Sequence, residues 1–278
     1  MVMDRLHKER PEDSAFEFIK CVILPGKDDE GGPPTLLEIE KLENRYQLQS
    51  DGKSEYYGFD RALSIKRKIS VGLSLEEQLR DDPRYAGASP AQLKKAIREI
   101  EKDLLNPLEC VDRYLRQFSR EGQYRTISSG ISDPSGRWQA FIDYSQTYNQ
   151  HFQSPKRRIE LGIEEEDIGG IEEAAFNIIR LRSVPDMPKV HKIMRDLPKY
   201  CRTAVGKREI LKIADEVDPL LPPSECFAED KSPLSPAAVD AKWIARFRRP
   251  IIHRLKKASS QHESLKDKET PLELLEAA

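Results

Sequence analysis

The stretch Ile65–Leu105 places two helix starts within fifteen residues of each other and so constrains the fold more than any other part of the chain. Ser74-Leu75-Glu76-Glu77 has the S-x-x-E form of a capping box, in which hydroxyl and carboxylate satisfy orphan N–H groups at a helix start. Ser89-Pro90-Ala91-Gln92 repeats the device as S-x-x-Q, with Pro90 at the first helical position, where its missing N–H costs nothing. Asp81-Asp82-Pro83 and Gly87 supply stop and turn residues between them. The pattern predicts two closely spaced helices, the second of which a helix-turn-helix would offer to a DNA groove. The turn is longer than the usual three or four residues of that motif.

The faces of the second helix sharpen the expectation. Leu93, Ala96, Ile97, Ile100 and Leu104 form one apolar stripe, while Lys95, Arg98 and Lys102 fall opposite and Lys94 lies on the flank. Gln92, near the N-terminus, has the chemistry to pair bidentately with adenine. The bland reading is a surface helix with solvated lysines, and Glu99 and Glu101 speak for it.

Charge limits the partners. Charged residues make up 34% of the 278-residue chain, yet the net charge is only −2, so affinity for nucleic acid must come from local patches. The most basic segment is Ala241–Lys257, where Lys242, Arg246, Arg248, Arg249, Arg254, Lys256 and Lys257 alternate with Trp243, Phe247, Ile251, Ile252 and Leu255, with no acid between. That composition suits nucleic acid, an acidic partner or a membrane surface. Pro250 argues against one continuous membrane-lying helix, and no apolar run is long enough to span a bilayer. The charged start is unlike a signal peptide, and four scattered cysteines (Cys21, Cys110, Cys201, Cys226) read as the reduced thiols of a cytoplasmic protein.

The rest of the chain reads as mainly α and multi-helical. Residues 1–34 hold a polar lead, a short strand Phe16–Leu24 stopped by Pro25-Gly26, and a loop. Residues 35–118 form the helix-turn-helix domain, opened by a third capping box at Thr35–Glu38 and a helix Leu36–Gln49 that buries Leu36, Ile39, Leu42 and Tyr46. A helix over Tyr56–Ile69 ends in Lys66-Arg67-Lys68, where Lys66 and Arg67 either complement the helix dipole or anchor a phosphate. Leu108, Val111, Leu115 and Phe118 line another helix. In the loop Ser119–Gly136 and just beyond it, Arg120, Arg125 and Arg137 could touch phosphates, but ordinary surface charge is the simpler reading. Residues 137–218 predict a helical bundle, 219–240 a Pro-rich linker, and 241–278 a basic segment with a disordered tail. Neither a phosphate-binding loop nor H-E-x-x-H, G-x-S-x-G or C-x-x-C occurs; His191 and Cys201 lack further ligands at useful spacing, so no catalysis, metal or cofactor is expected.

The succession of pieces over residues 16–118 resembles the ParB-like family of partition proteins, which includes nucleases. The phrase VGLSLEEQLRDDPRYAGASPAQLKKAI carries the likeness, being similar to the run through that family's helix-turn-helix domain. The resemblance implies Ser74–Arg80 as supporting helix and Ser89–Leu104 as recognition helix, with Ser89, Gln92, Lys94, Lys95 and Arg98 facing the groove. It also implies a dimer on double-stranded DNA, though no heptad seam forces one. The family's G-E/H/N-R-R type motif is missing, as Gly136-Arg137-Trp138 is not it and follows the helix-turn-helix; enzymatic activity is not carried over. The terminal strand then reads as the remainder of a truncated α/β domain. Duplex-DNA binding is the leading expectation, with Lys66, Arg67, Lys94 and Arg246, Arg248 and Arg249 on phosphates. The alternative is a helical adaptor whose basic C-terminal segment docks an acidic partner.

Overall fold

The structure is a computed structural model that describes residues 23–48, 58–127, 137–182 and 187–276. It is mainly helical, and no helix among these residues is long and apolar enough to cross a membrane. Of the expected strand Phe16–Leu24, only Ile23 and Leu24 are described; both are irregular and exposed, and the rest lies outside the described residues. The chain divides into two units, residues 1–51 with 68–86 and residues 52–67 with 87–278.

In the first unit, α1 (Leu36–Leu48) begins at the predicted box: the Thr35 amide donates to Glu38 Oε2 at 2.8 Å, and the Glu38 amide to Thr35 Oγ1 at 3.3 Å. Its buried face is not the one the apolar spacing marks. Leu36 is 59% exposed and Ile39 38%, whereas Asn44 is buried, as is Glu40. The reason is a polar network: Lys68 Nζ donates to Asn44 Oδ1 at 2.9 Å, and Asn44 Nδ2 donates to Gln78 O at 3.3 Å. A buried amide with partners on both ends fixes the rotation of α1 more firmly than exposed leucines can. Lys68 lies in the last turn of α2 (Phe59–Ser70), within which the division of units falls. The short α3 (Leu75–Arg80) starts at the Ser74–Glu77 capping box.

The second unit holds the main core. It contains α4 (Pro90–Ile100), α5 (Asn106–Gln117), α6 (Arg137–Thr147), α7 (Pro155–Leu161), α8 (Asp167–Leu181), α9 (Val190–Cys201), α10 (Ala204–Glu216) and α11 (Pro236–Glu276). Leu108, Val111, Leu115 and Phe118 are all buried, as their spacing predicts. At the centre lies α8, which packs against α10 and α11 and buries Phe176 and Asn177 beside the predicted Ile171, Ala174, Ala175, Ile178 and Ile179. From Ala174 to Leu181 every residue of the helix is buried, so this stretch has no polar face to display.

Two expectations about the C-terminal third are overturned. Residues 219–240 are no linker: Leu221 is buried in the core, Trp243 Nε1 donates to Asp218 O at 2.9 Å, and Phe227 bridges to Pro233. The basic segment is no separate appendage either. Trp243, Ile251, Leu255 and Ala258 are fully buried, and the helix runs through Pro250 to Glu276 in place of the expected disordered tail. A mid-helix proline costs about 3 kcal/mol. Burying Trp243 and Phe247 before it and Ile251 and Leu255 after it, at about 1.5–3 kcal/mol per large side chain, offsets that.

Candidate nucleic-acid interface

The residues of α4 divide as the sequence predicts. Leu93 and Ala96 are buried, and Lys94, Lys95 and Arg98 are all exposed. Ser89 caps the helix, its amide donating to Gln92 Oε1 at 2.8 Å while the Gln92 amide reaches back to Ser89 Oγ at 3.4 Å. The Gln92 carboxamide is therefore engaged in starting the helix, and pairing with adenine requires releasing that bond. Lys95 lies 3.9 Å from Glu99, but both side chains are exposed, so the pair is worth little. The expected supporting helix α3 belongs to the first unit and α4 to the second.

The larger array of cations lies on α11. Lys242, Arg246, Arg249, His253 and Lys256 follow one another at helical spacing and are all exposed, opposite the face that carries Trp243, Ile251 and Leu255. Some of its charge is already matched within the chain. Lys242 donates to Glu225 O at 3.1 Å, Arg246 pairs with Glu225 at 2.7 Å, and Arg254 bonds Glu209 at 2.8 Å and also Glu216. The bonds from Glu216 and Glu209 hold the Arg254 guanidinium above its ordinary value. Among the described residues, Arg248, Arg249, Lys256 and Lys257 carry no ion pair.

Lys66 and Arg67 fare differently. Arg67 is exposed, whereas Lys66 is half-buried and donates to Asp112 and, at 3.5 Å, to Tyr124 Oη, which itself donates to Asp112 Oδ1 at 2.7 Å. Burial pulls Lys66 down, but the Asp112 bond and charge outweigh it and leave the ammonium above its ordinary value. A phosphate would have to compete with Asp112 for it.

Two arginines that read as surface charge are buried instead. Arg120 and Arg137 join Arg180 and Arg182 around Asp240, with Arg120 Nη1 at 2.9 Å and Arg180 Nη2 at 3.0 Å from Oδ1. The Arg180 guanidinium lies against the rings of both Phe118 and Trp243, at 4.4 and 4.3 Å from their centroids. Nothing local in the sequence marks this cluster, because its members come from distant segments. In the Lys156–Arg158 run the two arginines are matched, Arg157 by Glu160 at 2.8 Å and Arg158 by Glu165 at 3.2 Å.

No protein-family model, curated protein or solved structure matches the chain.

Proposed function

We propose that this protein binds duplex DNA, with the exposed face of α11 on the phosphates and Lys94, Lys95 and Arg98 of α4 toward the groove. The observation that carries this reading is the acid-free stripe Lys242–Lys257 on a helix whose other face is core. Phosphate binding calls for cations on a rigid support, and burial of Trp243 and Leu255 holds that stripe in place. At about 1.5 Å per residue the stripe runs about 22 Å, against one duplex charge per about 1.7 Å. The ParB-like phrase supports the same reading and adds partition and a homodimer as its context.

A second reading uses the same face. Arg246 and Arg254 already hold carboxylates of Glu225, Glu209 and Glu216, which favours an acidic protein segment as occupant. Fluorescence anisotropy with random-sequence duplex at low and moderate salt separates the two. Support for DNA is micromolar binding that weakens steeply with salt, with a log–log slope shallower by about 0.9 for each phosphate that Arg249→Glu or Lys256→Glu no longer neutralises. Weaker affinity in Lys95→Glu with Arg98→Glu places α4 on the duplex. Absence of binding at low salt, with retained binding of poly-glutamate, transfers the face to an acidic partner. Deleting residues 241–278 cannot serve as the test, since it removes Trp243 from the core.

A further inference from the structure

Among the described residues, two π-helical turns occur in the second unit, Glu101–Leu105 directly before α5 and Tyr148–Phe152 directly after α6. Such turns are rare and are found at functional sites more often than elsewhere. Residues next to or within both turns line a single cavity of about 230 Å³. One wall is the α5 face Asn106, Glu109, Cys110 and Arg113; the other is Ser145, Tyr148, Asn149 and Gln153. A straight α-helix would continue the face from Ser145 to position 152. The extra residue of the π turn instead sends Phe152 into the core, where it is fully buried, and gives its place in the cavity to Gln153.

The chemistry of the lining is specific. Arg113 is held by a bidentate pair with Glu172, Nε to Oε1 at 2.9 Å and Nη2 to Oε2 at 3.0 Å, so the guanidinium is neutralised and fixed. It lies over the Tyr148 ring at 5.4 Å. Burial pushes the Cys110 thiol up to about 11, so with Ser145 it makes a buried, uncharged floor. Among the described residues, the side chains of Asn106, Glu109, Asn149 and Gln153 form no hydrogen bond within the protein. Each carboxamide offers an acceptor and two donors, and Glu109 adds acceptors at the rim.

From these features we infer a binding site for a small neutral polyhydroxyl ligand, a monosaccharide or cyclitol, between α5 and the π turn after α6. A hydroxyl both donates and accepts, which is what a carboxamide answers; the Arg113–Glu172 pair is internally balanced, and the one carboxylate left over, the exposed Glu109 at the rim, accepts from hydroxyls. The volume corresponds to about eight waters at about 30 Å³ each, the scale of one sugar ring and below drug-sized clefts of about 300–1,000 Å³.

Saturation-transfer NMR on the full chain tests this with glucose, galactose, mannose and myo-inositol, alongside glucosamine and glucose 6-phosphate as charged counterparts. Saturable binding of at least one neutral probe is expected, weakened about tenfold by Asn149→Ala or Gln153→Ala. The Arg249→Glu variant, altered only on the exposed face of α11, should bind the sugar unchanged. Unchanged circular dichroism and melting temperature in the cavity variants separate loss of the site from loss of the fold. No binding of any probe up to tens of millimolar, or binding of the charged probes alone, overturns the inference. Its failure would leave the DNA reading untouched, because the two rest on different residues.

Discussion

Arg180 and Asp240 stand sixty residues apart, yet Nε and Nη2 of the guanidinium both reach Oδ1 of the carboxylate, at 3.1 and 3.0 Å. The pair joins the central helix α8 to the start of α11, and Arg180 Nη1 also donates to Pro219 O at 2.7 Å. Burial pulls the guanidinium below its ordinary value and Asp240 opposes that, but an arginine stays charged throughout the working pH range. Removing the carboxylate therefore leaves buried cations unanswered. Asp240→Ala should cost about 3–5 kcal/mol in urea unfolding at pH 7, and a loss below about 1 kcal/mol would deny the cluster this role.

Gly206 lies in the first turn of α10, where its amide donates to the Thr203 cap at 2.9 Å. A Cβ built there would lie 2.1 Å from the carbonyl oxygen of Tyr200, a backbone atom that cannot turn aside. Alanine normally stabilises a helix interior relative to glycine by about 1 kcal/mol. Here Gly206→Ala should instead destabilise by about 1–3 kcal/mol as the corner between α9 and α10 is forced open. A raised melting temperature for this variant would show that the corner relaxes freely.

Arg254 gives the α10–α11 contact a pH dependence. Burial pushes the Glu209 carboxyl up, but the bond and charge of Arg254, with Lys212 and Lys257, outweigh it and hold it below its usual value. The Arg254 bond likewise lowers Glu216. Carboxyls depressed in the fold contribute fully above their unfolded value of about 4.3, and that contribution is lost as pH falls through the lower folded value. Melting temperatures from pH 7 to 3 should therefore drop less steeply below pH 4.3 in Arg254→Gln than in the parent, and parallel curves would remove Arg254 from the account.

Burial also silences two thiols. It pushes Cys110 up to about 11 and Cys201 up to about 12, so at pH 8 about one Cys110 in a thousand is thiolate, and fewer of Cys201. Peptide mapping after brief labelling with a maleimide should find the half-buried Cys226 modified and these two protected until urea is added. Rapid native labelling of Cys201 would mean that the α9 core opens far more readily than its packing implies.

Sequence alone determined where helices begin and which narrow stripes are buried. Thr35 with Glu38, Ser74 with Glu77 and Ser89 with Gln92 all close their caps, because each bond spans three residues and needs no other part of the chain. Leu108 to Phe118 and Ile171 to Ile179 bury as their periodicity predicts, since an apolar face must be covered wherever the helix ends up. Tertiary structure decided what the charged and mixed segments became. Arg120 and Arg137 went inside because Asp240, from another part of the chain, was there to meet them, and no local pattern encodes that meeting. Lys66 was drawn to Asp112, and α1 turned Asn44 inward instead of Leu36, for the same reason. The segment that reads as a basic appendage is a core helix because the bundle supplied a face for Trp243 and Leu255, leaving the cations outside. Short-range hydrogen bonds and periodicity are written in consecutive residues; the pairing of distant charges and the choice of which face to bury depend on the partner surface, which exists only once the chain has folded.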